Sequence, residues 1–473
     1  MLEKRNNNFL VILLFLFVAN SVFAQPKINS PYSRVALGDL ETQNFAALNG
    51  MGNLAASYND FAHANYRNPA ALSFLQTTAF ELGIKARYGE LELNDQQADV
   101  WSGNLSYISL AFPVRNISSR ILDRDKSPIY WGMGFSLQPY STVGYEVQTI
   151  SSDQQINGDT VINSSLGNGG TYQMQWGHGV HYRWSNDNDT TVHKLALGGS
   201  IGFLFGSIEK SQAVDFINLD NYYFNLTEND ASIRGLLWNL GMQYEYAFQN
   251  KNKSIRNIDR SRLTVGIYGH SGTKMDINTD RLTRRRNLAY ATSLTSALDT
   301  IPAGTFTDSL FNGRLPAEFG LGTTYRFRHG KATWRVGADF SFARWSKYYN
   351  ESNGEEKGDL EDAYTVAVGA EYVPNAYQSL NNYFETVKYR FGVFYERDPR
   401  GGANVGINES LTRRGITLGL GFPIILKNET SFVNLAFEMG RLDGDGAIKD
   451  TYGKVTLGFT FNDSNWFYKR KFN

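Results

Sequence analysis

The chain has 473 residues, with 46 Lys and Arg against 46 Asp and Glu, and it contains no Cys. The balanced charge argues against a bulk electrostatic affinity for nucleic acid. The lack of Cys excludes disulfides, cysteine metal sites and a thiol nucleophile. A mean hydropathy of −0.37 argues against a polytopic helical membrane protein, which needs repeated apolar runs of about 20 residues.

The first segment has the features of a secretory signal peptide. Two basic residues precede an apolar stretch at 9–19, and small residues then lead to Ala24. The apolar stretch of about 11 residues is too short to cross a bilayer comfortably. We therefore predict a signal peptide at residues 1–24 and a mature chain that begins at Gln25; an N-terminal membrane anchor is the alternative.

Residues 25–77 differ from everything that follows, because their apolar residues do not alternate with polar ones. The segment is rich in small and apolar residues rather than in charged ones, unlike a solvated linker. The part that follows is predicted to form a barrel whose lumen is too wide for side chains alone to fill. We therefore predict that residues 25–77 form a hatch or plug inside the lumen; a flexible tail is the alternative.

From residue 78 to residue 462, apolar residues occupy every second position in about fourteen rows. In the first row, Phe80, Leu82 and Ile84 alternate with polar or small residues. Successive side chains of a strand point to opposite faces, so each row predicts a strand with one apolar face. A length of about ten residues suits a tilted transmembrane strand. We predict an all-β fold, a closed antiparallel transmembrane β-barrel of about 14 strands.

Charged residues recur on the polar face of these rows. Several of them would be costly in the dry core of a soluble β-sandwich, which is the alternative fold. A wet lumen tolerates them while the apolar face meets lipid. The predicted lumen-facing charges are Glu81, Lys85, Arg87, Glu318, Arg335, Asp339 and Glu371.

Connections between the rows are alternately long, averaging about 23 residues, and short, averaging about 10. The long ones include the predicted loops 141–170, 207–231 and 271–315. Long outer loops and short periplasmic turns are typical of outer-membrane barrels. We therefore predict the cell outer membrane of a Gram-negative-type envelope, with both termini and a tail at 463–473 in the periplasm. Outer-membrane lipid and lipopolysaccharide are the expected surroundings. Arg284, Arg285 and Arg286 in the longest loop would contact lipopolysaccharide phosphates or form a solvated charge cluster.

Short motifs in the predicted hatch and in later rows resemble a known family. Ala47–Gly52, Asp60 and the sequence Asn68-Pro69-Ala70 are similar to the N-terminal hatch of the FadL family of outer-membrane barrels, also called OmpP1-like. The strand pair 318–325 and 336–340 continues the likeness. The resemblance implies a 14-stranded barrel with a hatch, and uptake of hydrophobic molecules such as long-chain fatty acids.

Two functions follow from the resemblance. The first is passive uptake, with a hydrophobic ligand passing apolar hatch residues, namely Phe45, Leu48, Met51, Leu54, Leu72 and Phe74. The alternative is a non-transporting structural subunit of an outer-membrane protein assembly or secretion complex, because the C-terminal tail resembles FadL-like barrels that serve as such subunits. Uptake requires a continuous apolar path, whereas a structural subunit is expected to have a lumen filled by paired charges.

No enzymatic site emerges from the sequence. The Gly198-x-Ser200-x-Gly202 pattern lies inside an alternating row, whereas a hydrolase elbow needs a strand–turn–helix context. His178 and His181 are three positions apart, which on a strand places them on opposite faces. We therefore expect no catalytic residue, no metal site and no cofactor.

Overall fold

A computed structural model describes most of the chain. The described residues are 30–93, 96–115, 120–121, 123–153, 159–186, 191–216, 223–248, 260–287, 299–376, 382–401, 410–425, 429–444 and 447–464. The predicted signal peptide and residues 465–473 of the predicted tail lie outside these ranges. None of the helices within them is long and apolar enough to cross a membrane.

The described chain is dominated by strands. These are β1 Asp39–Leu40, β2 Thr78–Leu93, β3 Gln96–Pro113, β4 Ile129–Asp153, β5 Asp159–Ser185, β6 Thr191–Phe216, β7 Tyr223–Phe248, β8 Ser261–His270, β9 Lys274–Asn287, β10 Asp299–Thr300, β11 Phe306–Arg314, β12 Glu318–His329, β13 Ala332–Ala343, β14 Tyr349–Asn350, β15 Ala363–Val373, β16 Lys388–Asp398, β17 Leu411–Ile425, β18 Thr430–Asp443 and β19 Lys449–Asp463. The helices are short: α1 Ala46–Asn49 and the 3₁₀ helices Pro31–Arg34, Pro69–Phe74, Trp345–Lys347, Glu351–Asn353 and Tyr383–Thr386.

Fourteen of the strands close into one antiparallel barrel. The wall consists of β2–β8, β12, β13 and β15–β19, each hydrogen-bonded to its neighbours. The ring closes where β19 pairs with β2, from Lys449 opposite Glu92 to Asp463 opposite Thr78. Each alternating row of the sequence falls in one wall strand, so the prediction of a closed barrel of about 14 strands is confirmed.

The two faces of the wall have opposite character. On β7, Leu236 and Leu240 are exposed on the outside, whereas Asn239, Gln243 and Glu245 are buried on the inside. An apolar outside and a polar inside invert the pattern of a soluble protein and suit a surface that meets lipid. The protein is therefore an outer-membrane β-barrel.

Strand length departs from the prediction. The strands β4–β7 have 25 to 27 residues rather than about ten, and segments 141–170 and 207–231, expected as outer loops, are largely strand. The backbone pairing continues there although the strict alternation ends, since polar residues such as Asn163, Ser164 and Ser165 occupy consecutive positions. The predicted loop 271–315 also contains β9 and β11.

The hatch, defined here as residues 30–77, runs lengthwise through the lumen. We call the end of the barrel where β2 begins and β19 ends the proximal end, and the opposite end the distal end. The hatch starts distally, where the Tyr32 hydroxyl donates to the carbonyl of Ile448 at 2.6 Å, and it ends proximally at Thr77, just before β2 begins. The first and last described residues therefore lie at opposite ends, because the hatch spans the lumen instead of folding beside one mouth. The prediction of two periplasmic termini concerns residues outside the described ranges and stays a prediction.

Candidate functional site

Asn68 connects the hatch to the wall. Its side chain is fully buried, and its Oδ1 accepts a hydrogen bond from the Ala70 N–H at 3.2 Å, which caps the 3₁₀ helix Pro69–Phe74. Its Nδ2 donates to the carbonyl of Ala56 in the hatch at 2.5 Å and to that of Ile267 on β8 at 3.2 Å. One side chain thus satisfies a helix start, a hatch turn and a wall strand. Pro69 fixes the first residue of the helix, where its missing N–H costs nothing.

The hatch backbone lies directly on inward-facing glycines of the wall. A Cβ at Gly241 would lie 2.1 Å from Oδ1 of Asn68, and one at Gly198 would lie 2.2 Å from the nitrogen of Ala70. No side chain fits into such distances, so hatch and wall are packed without a gap there. We call the glycines whose Cβ would come within 3.0 Å of the hatch backbone or of Asn68 the glycine belt. Its members on eight strands are Gly132, Gly179, Gly198, Gly241, Gly266, Gly369, Gly392 and Gly419.

Two of the predicted lumen carboxylates bind backbone amides of the hatch. Glu81 on β2 accepts from the N–H of Ala64 at 2.7 Å, and it is buried. Asp339 on β13 accepts from the N–H groups of Ala55 and Ala56 at 2.5 and 2.7 Å. Hydrogen bonds to a charged acceptor are about twice as strong as neutral ones. The wall therefore holds the hatch main chain at two separate points.

The other predicted lumen charges form ion pairs. Three of them pair with hatch side chains, and Arg87 and Glu371 pair within the wall. The pairs are Glu318 with Arg67 at 2.7 Å, Arg335 with Asp60 at 3.7 Å, Lys85 with Glu41, Arg87 with Asp450 at 2.5 Å, and Glu371 with Arg390 at 2.8 Å. Removing one partner of a buried pair leaves an uncompensated charge, which costs about 3–5 kcal/mol.

Asp60 in the hatch is buried among cations. Burial alone would raise the pKa of its carboxyl, but Lys388 at 3.4 Å, together with His63 and Arg335, holds that pKa well below its usual range. Asp60 is therefore ionised at neutral pH. Its charge links the hatch to β13 and β16.

The six apolar hatch residues predicted as a ligand path are all buried. Phe45 stacks on Tyr107 of the wall with ring centroids 4.0 Å apart. Leu48, Met51 and Leu54 belong to one buried cluster between hatch and wall, and Leu72 belongs to the cluster of Phe45. Three cavities border the hatch, and Phe74 alone of the six lines one of them. The role of these six residues as a ligand path stays a prediction.

The distal end is filled by an apolar core. Hatch residues Val35 and Leu37 pack there against the extended parts of the wall strands, against β9 and against the segment around Trp345. The N–H of Ala36 also donates to Glu355 at 2.8 Å. The buried members of this core are Val35, Ala36, Leu37, Val143, Tyr145, Leu204, Ile208, Ala231, Ile233, Met275, Ile277, Leu315, Trp345, Tyr348 and Leu360.

The cavities on the two sides of the hatch differ in size and charge. A distal one of about 80 Å³ is lined by four cationic and four acidic side chains, among them Glu41, Lys85 and Asp450. A proximal one of about 950 Å³ lies under the hatch, between Phe74 and the wall residues Arg335 and Lys388, and most of the charged residues that line it are cations. Of these cavities, the proximal one is much the larger.

The remaining sequence hypotheses concern single residues. Ser200 is a buried inward residue of β6, and its alternation within the strand continues on both sides. His181 points into the lumen between Phe74 and Tyr130, whereas His178 lies beside the exposed Trp131 on the outer face. Arg284 lies in β9 rather than in a loop and pairs with Glu228 at 3.3 Å.

Comparison with solved structures returns barrels of the FadL type. The crystal structure of the Pseudomonas putida toluene transporter TodX has a TM-score of 0.51 and 16% identity, over 91% of this chain and 100% of TodX. A Pseudomonas aeruginosa FadL homologue has a TM-score of 0.49 and 12% identity, over 88% of this chain and 97% of that chain. The likeness to TodX supports the predicted FadL-like barrel.

Sequence comparisons give one family. No curated protein matches this sequence. The model of the BamG family, however, matches residues 6–473, which is nearly the whole length. The chain forms a FadL-like barrel with a hatch packed against its wall, and it belongs to the BamG family.

Proposed function

We propose that this barrel is a non-transporting structural subunit of an outer-membrane protein assembly or secretion complex. The glycine belt carries the proposal, because the hatch backbone rests on wall atoms along eight strands. A ligand passing at that level would need the hatch to leave these contacts. Close packing of this kind opposes such a movement.

The charges and the distal core support the same function. A moving hatch would leave buried groups such as Glu81 and Asp339 without their partners, and each loss costs several kcal/mol. The apolar core around Leu37 and Trp345 fills the distal mouth, where a ligand from outside would have to enter. Membership in the BamG family supports a place in an envelope protein complex.

The orientation is part of the proposal. The proximal end has short connections, whereas the long strands β4–β7 extend the distal end well beyond a bilayer. This asymmetry supports a periplasmic proximal end and an extracellular distal end. In that orientation the distal parts of β4–β7 offer a large surface to partner proteins.

Purification from native membranes in a mild detergent tests the proposal. The tagged full-length chain is expected to elute with other envelope proteins in a fixed molar ratio, read from native mass spectrometry. Elution alone, with bound lipid in the lumen, would overturn it. As a control, the variant Gly453→Ala should elute in the same ratio as the wild type, since no atom lies within 4 Å of a Cβ at that position.

Passive uptake of hydrophobic molecules is the second candidate. It is favoured by the likeness of the fold to TodX, a structure described as a toluene transporter. This function requires saturable binding of a long-chain fatty acid or of toluene by the purified barrel, and uptake that stops when the gene is deleted. A structural subunit binds neither compound saturably, so the two candidates are separated by one titration.

A further inference from the structure

The proximal cavity, which we call the vestibule, is strongly basic. Ten Lys and Arg residues line it against three Asp and Glu residues, whereas the distal cavity has four of each. Some of these cations are paired, such as Lys194 with Glu245 at 2.8 Å and Lys388 with Asp60 at 3.4 Å. Arg326 makes no ion pair with another residue of the described ranges. The vestibule thus has an excess of positive charge that its own lining does not balance.

Two residues that line the vestibule each carry a buried polar atom without a hydrogen-bond partner among the described residues. One is Nη1 of Arg335, whose side chain is 5% exposed, and the other is Nδ1 of His181. Burying a donor without an acceptor costs about 1–3 kcal/mol, so such atoms are rare unless something else binds them. Nη1 of Arg335 can only donate, and the group that satisfies it must therefore be an acceptor.

Six of the ten cations are distributed around the lumen, on strands of the arc from β5 to β16, which comprises eight adjoining wall strands. The other four lie in the connection between β3 and β4. One phosphate or one lipid headgroup would contact only the cations of one or two strands. An extended segment with several carboxylates can reach many of them. The strand residues concerned are Arg183, Lys194, Arg262, Arg326, Arg335 and Lys388.

We propose that the vestibule binds an acidic polypeptide segment of a partner protein that enters from the proximal end. The proposal rests on the proposed function as a complex subunit. Phe61, Phe74 and Phe432 lie among the cations and provide contacts for apolar side chains of such a segment. The sequence at 465–473 contains three cations and no Asp or Glu, so it does not supply the acidic side chains.

A binding titration tests the proposal on the full-length barrel in detergent. The probe is a fluorescein-labelled peptide of alternating Glu and Leu, and its control is the same peptide with Gln for Glu. We expect saturable binding of the Glu peptide alone, weakened about tenfold by Arg326→Gln and by added salt. The matched control variant is Arg414→Gln at the distal end, which should bind like the wild type. Heat-modifiable gel mobility verifies that each variant is folded.

Three outcomes would overturn the proposal: no binding, equal binding of the Gln peptide, or preference for inorganic phosphate or phosphatidylglycerol micelles over the Glu peptide. The test is separable from that of the proposed function. If the chain elutes alone yet binds the Glu peptide, the vestibule proposal is supported and the proposed complex is overturned. If the chain elutes in a fixed complex that Arg326→Gln does not change, and does not bind the peptide, the proposed complex is supported and the vestibule proposal is overturned.

Discussion

Gly241 on β7 lies so close to Asn68 in the hatch that a Cβ on the glycine would be 2.1 Å from Oδ1 of the asparagine. The same Asn68 side chain donates to the carbonyls of Ala56 and Ile267. A wall residue and a hatch residue therefore share one contact, and the fit of each depends on the other. This relationship makes the hatch part of the barrel's packed core.

Gly241→Ala is expected to destabilise the barrel by about 1–3 kcal/mol, the usual cost of overpacking. The added Cβ forces Asn68 away from its hydrogen bonds. The measurement is the unfolding midpoint in detergent, followed by heat-modifiable gel mobility and circular dichroism. Gly453→Ala on β19 is the control and should leave the midpoint unchanged, because nothing lies within 4 Å of its Cβ. Equal midpoints for the two variants would show that the hatch is not tightly packed at Gly241.

Asn68→Asp is expected to lower the unfolding midpoint nearly as much as Asn68→Ala. Aspartate can still cap the helix at Ala70, but it loses the donor to Ala56 and places a charge against carbonyl groups. Each variant should lose about 1–3 kcal/mol of unfolding free energy. If Asn68→Asp unfolds like the wild type, the amide donor has no structural role and capping alone explains the residue.

Alternation was sufficient to predict the wall of the barrel. The row beginning at Phe80 became β2, and the row ending at Phe461 became β19, because a lipid-facing side chain must be apolar at every second position. Beyond the bilayer that constraint ends. Around residue 163, β5 pairs with β6 although polar residues occupy consecutive positions, so its sequence there does not distinguish strand from loop.

The candidate site was predicted in part. The Asn68-Pro69-Ala70 motif and charges such as Glu81 stood out, because a polar residue in a restricted place needs a partner. The glycine belt did not stand out, because a single glycine such as Gly132 or Gly369 is an ordinary small residue of a strand. The available signal was collective: glycine recurs at inward positions of many rows. Only the path of the hatch backbone shows why those positions exclude a side chain.

Arg67 and Glu318 are expected to couple in a double-mutant cycle. The pair is 2.7 Å apart and mostly buried, so Arg67→Gln or Glu318→Gln alone leaves a charge without its partner. The loss of unfolding free energy in the double variant should be smaller than the sum of the two single losses, by about 1–3 kcal/mol. The exposed pair Arg414 and Asp443 serves as the control, where coupling of about 0–1 kcal/mol is expected. A coupling equally small at Arg67 would mean that this ion pair does not hold the hatch.

Asp60 is expected to make the stability of the hatch depend on pH. Its pKa is held below the usual value of about 3.9 by neighbouring cations, after burial has opposed that shift. A carboxyl whose pKa is lower when folded stabilises the fold above its unfolded pKa, and the stabilisation is lost as the pH falls through the folded pKa. The unfolding midpoints of the wild type and of Asp60→Asn should therefore differ at pH 6 and move progressively closer as the pH falls below about 4. Midpoints that stay equally far apart down to pH of about 2, or that diverge on acidification, would contradict a carboxylate stabilised by Lys388 and Arg335.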